Sequence, residues 1–89
     1  MYKITMTPKA KKALDKLPLK DFRRLDKAIW ALAQEPRPRG VKKLRGPNYR
    51  IRVGDWRIVY DVFDKDQLVI VGKVARRTKR TYEGLSELF

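Results

Sequence analysis

The stretch that decides the fold is YRIRVGDWRIVYDV, residues 49–62. Apolar residues alternate with basic ones before Gly54-Asp55, and aromatic and β-branched residues alternate after it. Two alternating runs around a two-residue break that contains glycine indicate a β-hairpin. With Gly54-Asp55 as the turn, the predicted register pairs Val53 with Trp56, Arg52 with Arg57, Ile51 with Ile58, Arg50 with Val59 and Tyr49 with Tyr60.

This register divides the hairpin side chains between two faces, because successive side chains point to opposite sides of a strand. The aromatic and aliphatic residues share one face, which we predict to be core, and Arg50, Arg52 and Arg57 share the other. Like charges directly opposite each other destabilise a hairpin by up to about 1 kcal/mol, so folding does not favour Arg52 opposite Arg57. A phosphate between two guanidinium groups would replace repulsion with charge-assisted contacts. The pattern therefore indicates an anion-binding face, with a merely solvated basic face as the alternative.

The charge balance indicates a polyanionic partner. The 89 residues, which we expect to form a single domain over 1–89, contain 23 Lys and Arg against 10 Asp and Glu, a formal charge of +13. Such an excess favours nucleic acid, an anionic membrane or an acidic protein as partner. No run of eighteen apolar residues and no signal-peptide core is present, so we expect no membrane association.

Cysteine and histidine are both absent. Their absence excludes disulfides and zinc-thiolate sites, removes the usual general acid or base, and is compatible with a reducing cytoplasm. The carboxylates are scattered, and Asp64 and Asp66 are interpreted as solvated turn residues. We therefore expect no metal site and no cofactor, so that any catalysis depends on Arg, Lys, Tyr or backbone groups.

The order of predicted elements gives an α+β fold. A strand over 2–6 precedes a helix that starts at Thr7-Pro8, whose lysines are predicted to point outward, and a second helix runs from Leu19 to Glu35-Pro36. The helices form an antiparallel hairpin, expected to cover one face of a small antiparallel sheet and to leave the arginine side open. The remaining elements are a strand near 41–44, the hairpin, an apolar strand over 68–75 and a short C-terminal segment over 82–89.

The sequence resembles the RelE/ParE superfamily of toxins over almost its whole length. The resemblance rests on KKLRG (42–46), the hairpin, LVIVGKV (68–74) and an arginine followed by Tyr82. It implies a βααβββ fold and a cognate RelB-like antitoxin, acidic or amphipathic-helical, through which the complex binds operator DNA. In the RelE branch it implies ribosome-dependent cleavage of mRNA; in the ParE branch, inhibition of DNA gyrase without nuclease activity.

The same resemblance implies catalytic residues. The basic residues of the two central strands match Arg50, Arg52 and Arg57, although the family pattern has lysine at the first two positions, and a final-strand arginine and a C-terminal tyrosine match Arg77 and Tyr82. Arginine cannot plausibly serve as a general base, so Tyr82 is the candidate for proton transfer and for base stacking. Candidate RNA-binding residues are Lys42, Lys43, Arg45, Arg76, Lys79 and Arg80, with Arg76 and Arg80 as substitutes for Arg77.

The residues alone leave a third function open, a non-catalytic RNA-binding module that uses the basic face for affinity. Attack of a ribose 2′-hydroxyl on the adjacent phosphate needs alignment, stabilisation of charge on phosphorus and proton transfer. Arg52, Arg57 and Arg77 can stabilise the charge on phosphorus without a metal. The expected function is therefore a cytoplasmic mRNA endoribonuclease acting in the ribosomal A site, with the gyrase inhibitor and the RNA-binding module as alternatives.

Overall fold

A computed structural model describes residues 1–76 and places two helices on one face of a five-stranded sheet. The predicted α+β class is confirmed, and the expected segment over 82–89 lies outside the described residues. The elements are β1 (Lys3–Met6), α1 (Pro8–Asp15), α2 (Leu19–Ala31), β2 (Lys42–Lys43), β3 (Asn48–Val53), β4 (Trp56–Phe63) and β5 (Leu68–Arg76), with strand order β1-β5-β4-β3-β2.

The sheet is mixed. Strands β2 to β5 form the predicted antiparallel meander, whereas β1 pairs in parallel with β5, with Lys3 beside Leu68 and Met6 beside Val71. A parallel pair needs a crossover connection, and a first strand that is followed by two helices has one available. The first strand is thus an edge of the same sheet as the hairpin.

The β3–β4 hairpin has the predicted register at all five pairs. Gly54, the first turn residue, has a φ of +60°, the conformation that a type II′ hairpin turn requires at this position. The predicted start of α1 is also confirmed, since Thr7 precedes Pro8 and its Oγ1 accepts a hydrogen bond of 3.1 Å from the Ala10 backbone nitrogen.

The core lies between the helices and the predicted apolar face of the hairpin. Each fully buried leucine or isoleucine side chain there contributes about 1.5–3 kcal/mol relative to exposure. Neither α1 nor α2 has the length and hydropathy needed to cross a bilayer. The residues that pack together include Ala10, Leu14, Leu25, Ile29 and Leu32 from the helical region and Tyr49, Ile51, Ile58, Tyr60, Val62, Val69, Val71 and Val74 from the sheet.

Asp64 is part of a polar network and not merely a solvated turn residue as the sequence suggested. Its carboxylate accepts hydrogen bonds from the guanidinium of Arg37 and from the hydroxyl of Tyr2, at 2.6 Å in the latter case. Arg37 Nε also donates to the Tyr49 hydroxyl at 3.0 Å. The network ties the loop after α2 to β3 and to the β4–β5 turn. Local sequence could not show it, because its members are separated by up to 62 positions.

Candidate nucleic-acid interface

Three arginines of the hairpin share the sheet face opposite the helices. Arg52 pairs directly with Arg57, and Arg50 lies two residues before Arg52 on the same side of β3. The intervening Ile51 and its partner Ile58 point into the core beneath the helices. The predicted grouping is therefore correct, and we call the side of the sheet that bears Arg50, Arg52 and Arg57 the arginine face.

Burial differs sharply within this group. Arg52 is exposed, but Arg50 is 5% exposed and Arg57 is 1% exposed. The expectation that the arginine face is left open was wrong at these two positions. Strand alternation assigns a side chain to a face without showing what covers it, and the long stem of arginine packs readily along neighbouring apolar surface. Of the three, Arg52 is the guanidinium that an approaching anion reaches first.

The short strand β2 adds exposed lysines. Lys42 pairs with Arg50 and so lies on the arginine face, whereas Lys43 pairs with Tyr49 and lies on the other. Both lysines are exposed, as is Arg45 in the loop that follows. Lys42 and Arg45 thus extend the positive surface beyond the arginines.

Arg76 does not join this group. It pairs with Trp56 at the end of β5, and its guanidinium lies over the Trp56 ring, with its carbon 5.9 Å from the ring centroid. Trp56 packs against the core, so Arg76 is on the side opposite the arginine face. The other predicted residues, Arg77, Lys79, Arg80 and Tyr82, lie outside the described residues, and their roles remain predictions.

The structure brings Lys73, which sequence reasoning did not single out, to the arginine face. Tyr60 pairs with Val71 while Val59 pairs with Lys73, so Gly72 is an extra residue that forms a β-bulge. The bulge keeps Val71 in the core and turns Lys73 to the other side. A glycine inside an apolar strand was the available signal, because it often marks a bulge.

The environment of Lys73 is strongly positive. Burial, followed by the positive charges of Lys9 and Arg57, lowers the pKa of the Lys73 ammonium below its usual value. Lys73 also contributes to an open depression of about 540 Å³. Its lining includes Lys9, Arg45, Asn48, Asp61, Gly72 and Lys73.

This arrangement favours negatively charged ligands. Guanidinium groups bind phosphate oxygens in a planar, bidentate manner and can stabilise charge that develops on them. Within residues 1–76 no cluster of three or more Asp or Glu is placed to hold a metal ion. The described face therefore presents arginine and lysine as the groups suited to a negatively charged ligand.

A known protein family matches most of the chain. The model that describes the ParE toxin of the type II toxin-antitoxin system, parDE, matches residues 4–81. A protein named RelE1 from Methanocaldococcus jannaschii is 32% identical over 71 residues, which cover 74% of this chain and 79% of that protein.

Solved structures agree with this match. The archaeal RelE-RelB complex from Pyrococcus horikoshii contains a chain with a TM-score of 0.81 and 34% identity, the similarity covering 88% of this chain and 97% of that one. The isolated RelE toxin of E. coli gives a TM-score of 0.76 at 26% identity over all of both chains. The sheet and helical hairpin described above are thus shared with these proteins.

Proposed function

The chain belongs to the RelE/ParE superfamily of toxins, and from this premise we propose that it is a RelE-type toxin that cleaves mRNA on the ribosome. The observation that carries the proposal is the cross-strand pair Arg52–Arg57 on the side of the sheet opposite α1 and α2. The exposed guanidinium of Arg52 is suited to a phosphate, the buried Arg57 adds positive charge directly beside it, and a hairpin gains nothing from their mutual repulsion.

In the proposed reaction the ribose 2′-hydroxyl attacks the adjacent phosphorus. The bond from the 2′-oxygen to phosphorus forms, the bond to the 5′-oxygen breaks, and the products are a 2′,3′-cyclic phosphate and a 5′-hydroxyl. Arg52 contacts the phosphate directly, and Arg57, which is buried beside it, adds positive potential where charge develops. No metal ion is needed for this stabilisation.

Other groups must supply proton transfer and the alignment of the reacting atoms. The 2′-hydroxyl must lose a proton and the leaving 5′-oxygen must gain one, which arginine cannot bring about at neutral pH. We assign proton transfer and base stacking to Tyr82, and a further phosphate contact to Arg77, from the family resemblance. The ribosome supplies alignment of the reacting atoms, so free RNA should react slowly or not at all.

The proposal includes a cognate antitoxin. Solved relatives are RelE-RelB complexes from Pyrococcus horikoshii and E. coli, and a RelB-like acidic or amphipathic-helical partner would complement the charge of +13 on this chain. We place the toxin in the cytoplasm, where its ribosomal substrate is found, and assign operator binding to the antitoxin of the complex. Contacts from Lys42 and Arg45 to RNA backbone would position the toxin, whereas Lys43, also predicted from the sequence, lies on the opposite face of the sheet.

Primer extension on a defined mRNA tests this function. Purified chain is added to the mRNA alone and to the same mRNA on ribosomes with an occupied P site. We expect discrete cuts within the A-site codon on ribosomes and little cutting of free mRNA. Equal cutting of both would refute the dependence on the ribosome, and intact mRNA in both would refute the nuclease.

A second function is favoured by the family model itself, which describes ParE toxins. A ParE-like chain would inhibit DNA gyrase by binding and would need no catalytic groups. Supercoiling assays with gyrase separate the two functions, because a RelE-type nuclease leaves gyrase active. An RNA-binding module without catalysis would instead bind RNA with a steep salt dependence and release no product.

A further inference from the structure

The depression on the arginine face takes no part in the proposed bond breaking. It lies beside the Arg52–Arg57 pair, since Val59 and Lys73, which line it, form the next row of side chains on this face of the sheet. Two residues along a strand span about 7 Å, which is close to the separation of consecutive phosphates in an extended RNA strand. The depression is therefore placed where a neighbouring phosphate would fall.

Three cations reach the depression from three separate elements. Lys73 comes from β5, Arg45 from the loop after β2, and Lys9 from the first turn of α1. Thr7 fixes the start of α1 against the bulge, because its Oγ1 donates a hydrogen bond of 3.3 Å to the Gly72 carbonyl oxygen. Lys9 is thus held near Lys73. It lines the depression and is not simply one of the outward-pointing lysines predicted for the first helix.

The depression also contains one carboxylate. Asp61 accepts a hydrogen bond of 2.7 Å from Asn48 Nδ2, which partly compensates its charge. The net charge of the lining groups remains positive. Burial first, and then the positive charges of Lys9 and Arg57, lower the pKa of the Lys73 ammonium, and an anion bound in the depression would offset the repulsion from those two cations.

We propose that Lys9, Arg45 and Lys73 form a binding site for a second phosphate of the RNA strand, next to the phosphate at Arg52 and Arg57. This inference rests on the proposed function for the identity of the ligand as single-stranded RNA. The site positions the strand and takes no part in bond breaking. It explains why the bulge at Gly72 turns a lysine away from the core and onto this face.

The test is the salt dependence of binding to a short single-stranded 2′-O-methyl RNA, which lacks the attacking hydroxyl and cannot be cut. Each lost phosphate contact lowers the slope of log Kd against log salt concentration by about 0.7 for single strands. We expect Lys9→Gln and Lys73→Gln each to lower the slope by that amount. Lys12→Gln, an exposed lysine on the same helix that does not line the depression, should leave the slope unchanged.

Slopes for Lys9→Gln and Lys73→Gln that equal the wild-type slope would overturn the site. An equal decrease in all three variants would also overturn it, because the binding would then come from diffuse surface charge. Lys9 is exposed on a helix, so its variant keeps the test valid if the half-buried Lys73 variant folds poorly. Because the probe cannot be cleaved, loss of the nuclease function in primer extension and loss of this site are separate results.

Discussion

The guanidinium of Arg37 binds both carboxylate oxygens of Asp64, at 3.1 Å from Nη1 to Oδ1 and 2.8 Å from Nη2 to Oδ2. Hydrogen bonds from Arg37 and then from Tyr2 hold the pKa of the Asp64 carboxyl below its usual value of 3.8. The pair is solvent-exposed, so its contribution to stability is modest. It nevertheless fixes the loop that leads into β2 and the arginine face.

Replacing Asp64 with Asn should lower the thermal midpoint of unfolding at neutral pH. A carboxyl whose folded pKa is lowered stabilises the protein above its unfolded pKa, and this stabilisation is lost as the pH falls through 3.8 and the lower folded value. The difference between wild type and Asp64→Asn should therefore narrow as the pH falls through 3.8 and close below the folded pKa. Thermal unfolding followed by circular dichroism over this range provides the measurement.

Asp66→Asn, in the same turn and also exposed, serves as the control for that series. It should follow the wild-type midpoint much more closely at neutral pH. If both substitutions lower the midpoint equally, the effect comes from general charge on the turn and the Arg37–Asp64 pair contributes nothing specific.

Gly54→Ala should destabilise the hairpin on which the arginine face is built. The φ of +60° at Gly54 costs an L-residue with a side chain about 1–2 kcal/mol. An added Cβ would also lie 2.8 Å from a guanidinium nitrogen of Arg24, although that flexible group can move. Gly72→Ala is the matched control, because its Cβ would meet no atom within 4 Å and should change stability by less than about 0.5 kcal/mol. Urea unfolding of the two variants measures the difference, and similar losses would contradict it.

Local sequence periodicity predicted the part of the site that lies within one hairpin. The Gly54-Asp55 turn fixed the pairing of Arg52 with Arg57, because a one-residue slip would have moved the isoleucines out of the core. The same periodicity also assigned the helix-facing side correctly. A two-residue turn and a period of two were enough for this, since both are local properties of the chain.

Other features depend on contacts between distant segments and could not be predicted in this way. The burial of Arg50 and Arg57 depends on what lies over the sheet, and the network at Asp64 depends on the fold of a separate loop. The bulge at Gly72 depends on how β5 meets β4, and without it strict alternation would assign Lys73 to the core side. Each of these changes how the arginine face can be reached or charged.

Arg76→Ala tests whether Arg76, at the end of β5, contributes to stability or to RNA binding. Its guanidinium lies over Trp56, a cation–π contact worth about 0.5–1 kcal/mol at an exposed site, so we expect a small loss of stability. Because Arg76 is on the side opposite the arginine face, cleavage on programmed ribosomes should remain at the wild-type rate. A marked loss of cleavage with unchanged stability would instead show that Arg76 is one of the RNA-binding residues, as the sequence predicted.

Arg52→Ala tests the proposed reaction most directly, because Arg52 is the exposed member of the arginine face. Removing one group that stabilises developing negative charge lowers a catalytic rate by about 10²- to 10³-fold, and we expect a loss of this size on programmed ribosomes. Arg52→Lys should recover part of the rate, since it keeps the charge but loses bidentate geometry. Arg23→Ala, an exposed arginine on α2, should cleave like wild type. If Arg52→Ala still arrests growth and inhibits gyrase as wild type does, Arg52 has no role in RNA cleavage. The ParE-like inhibition of gyrase would then be the favoured function.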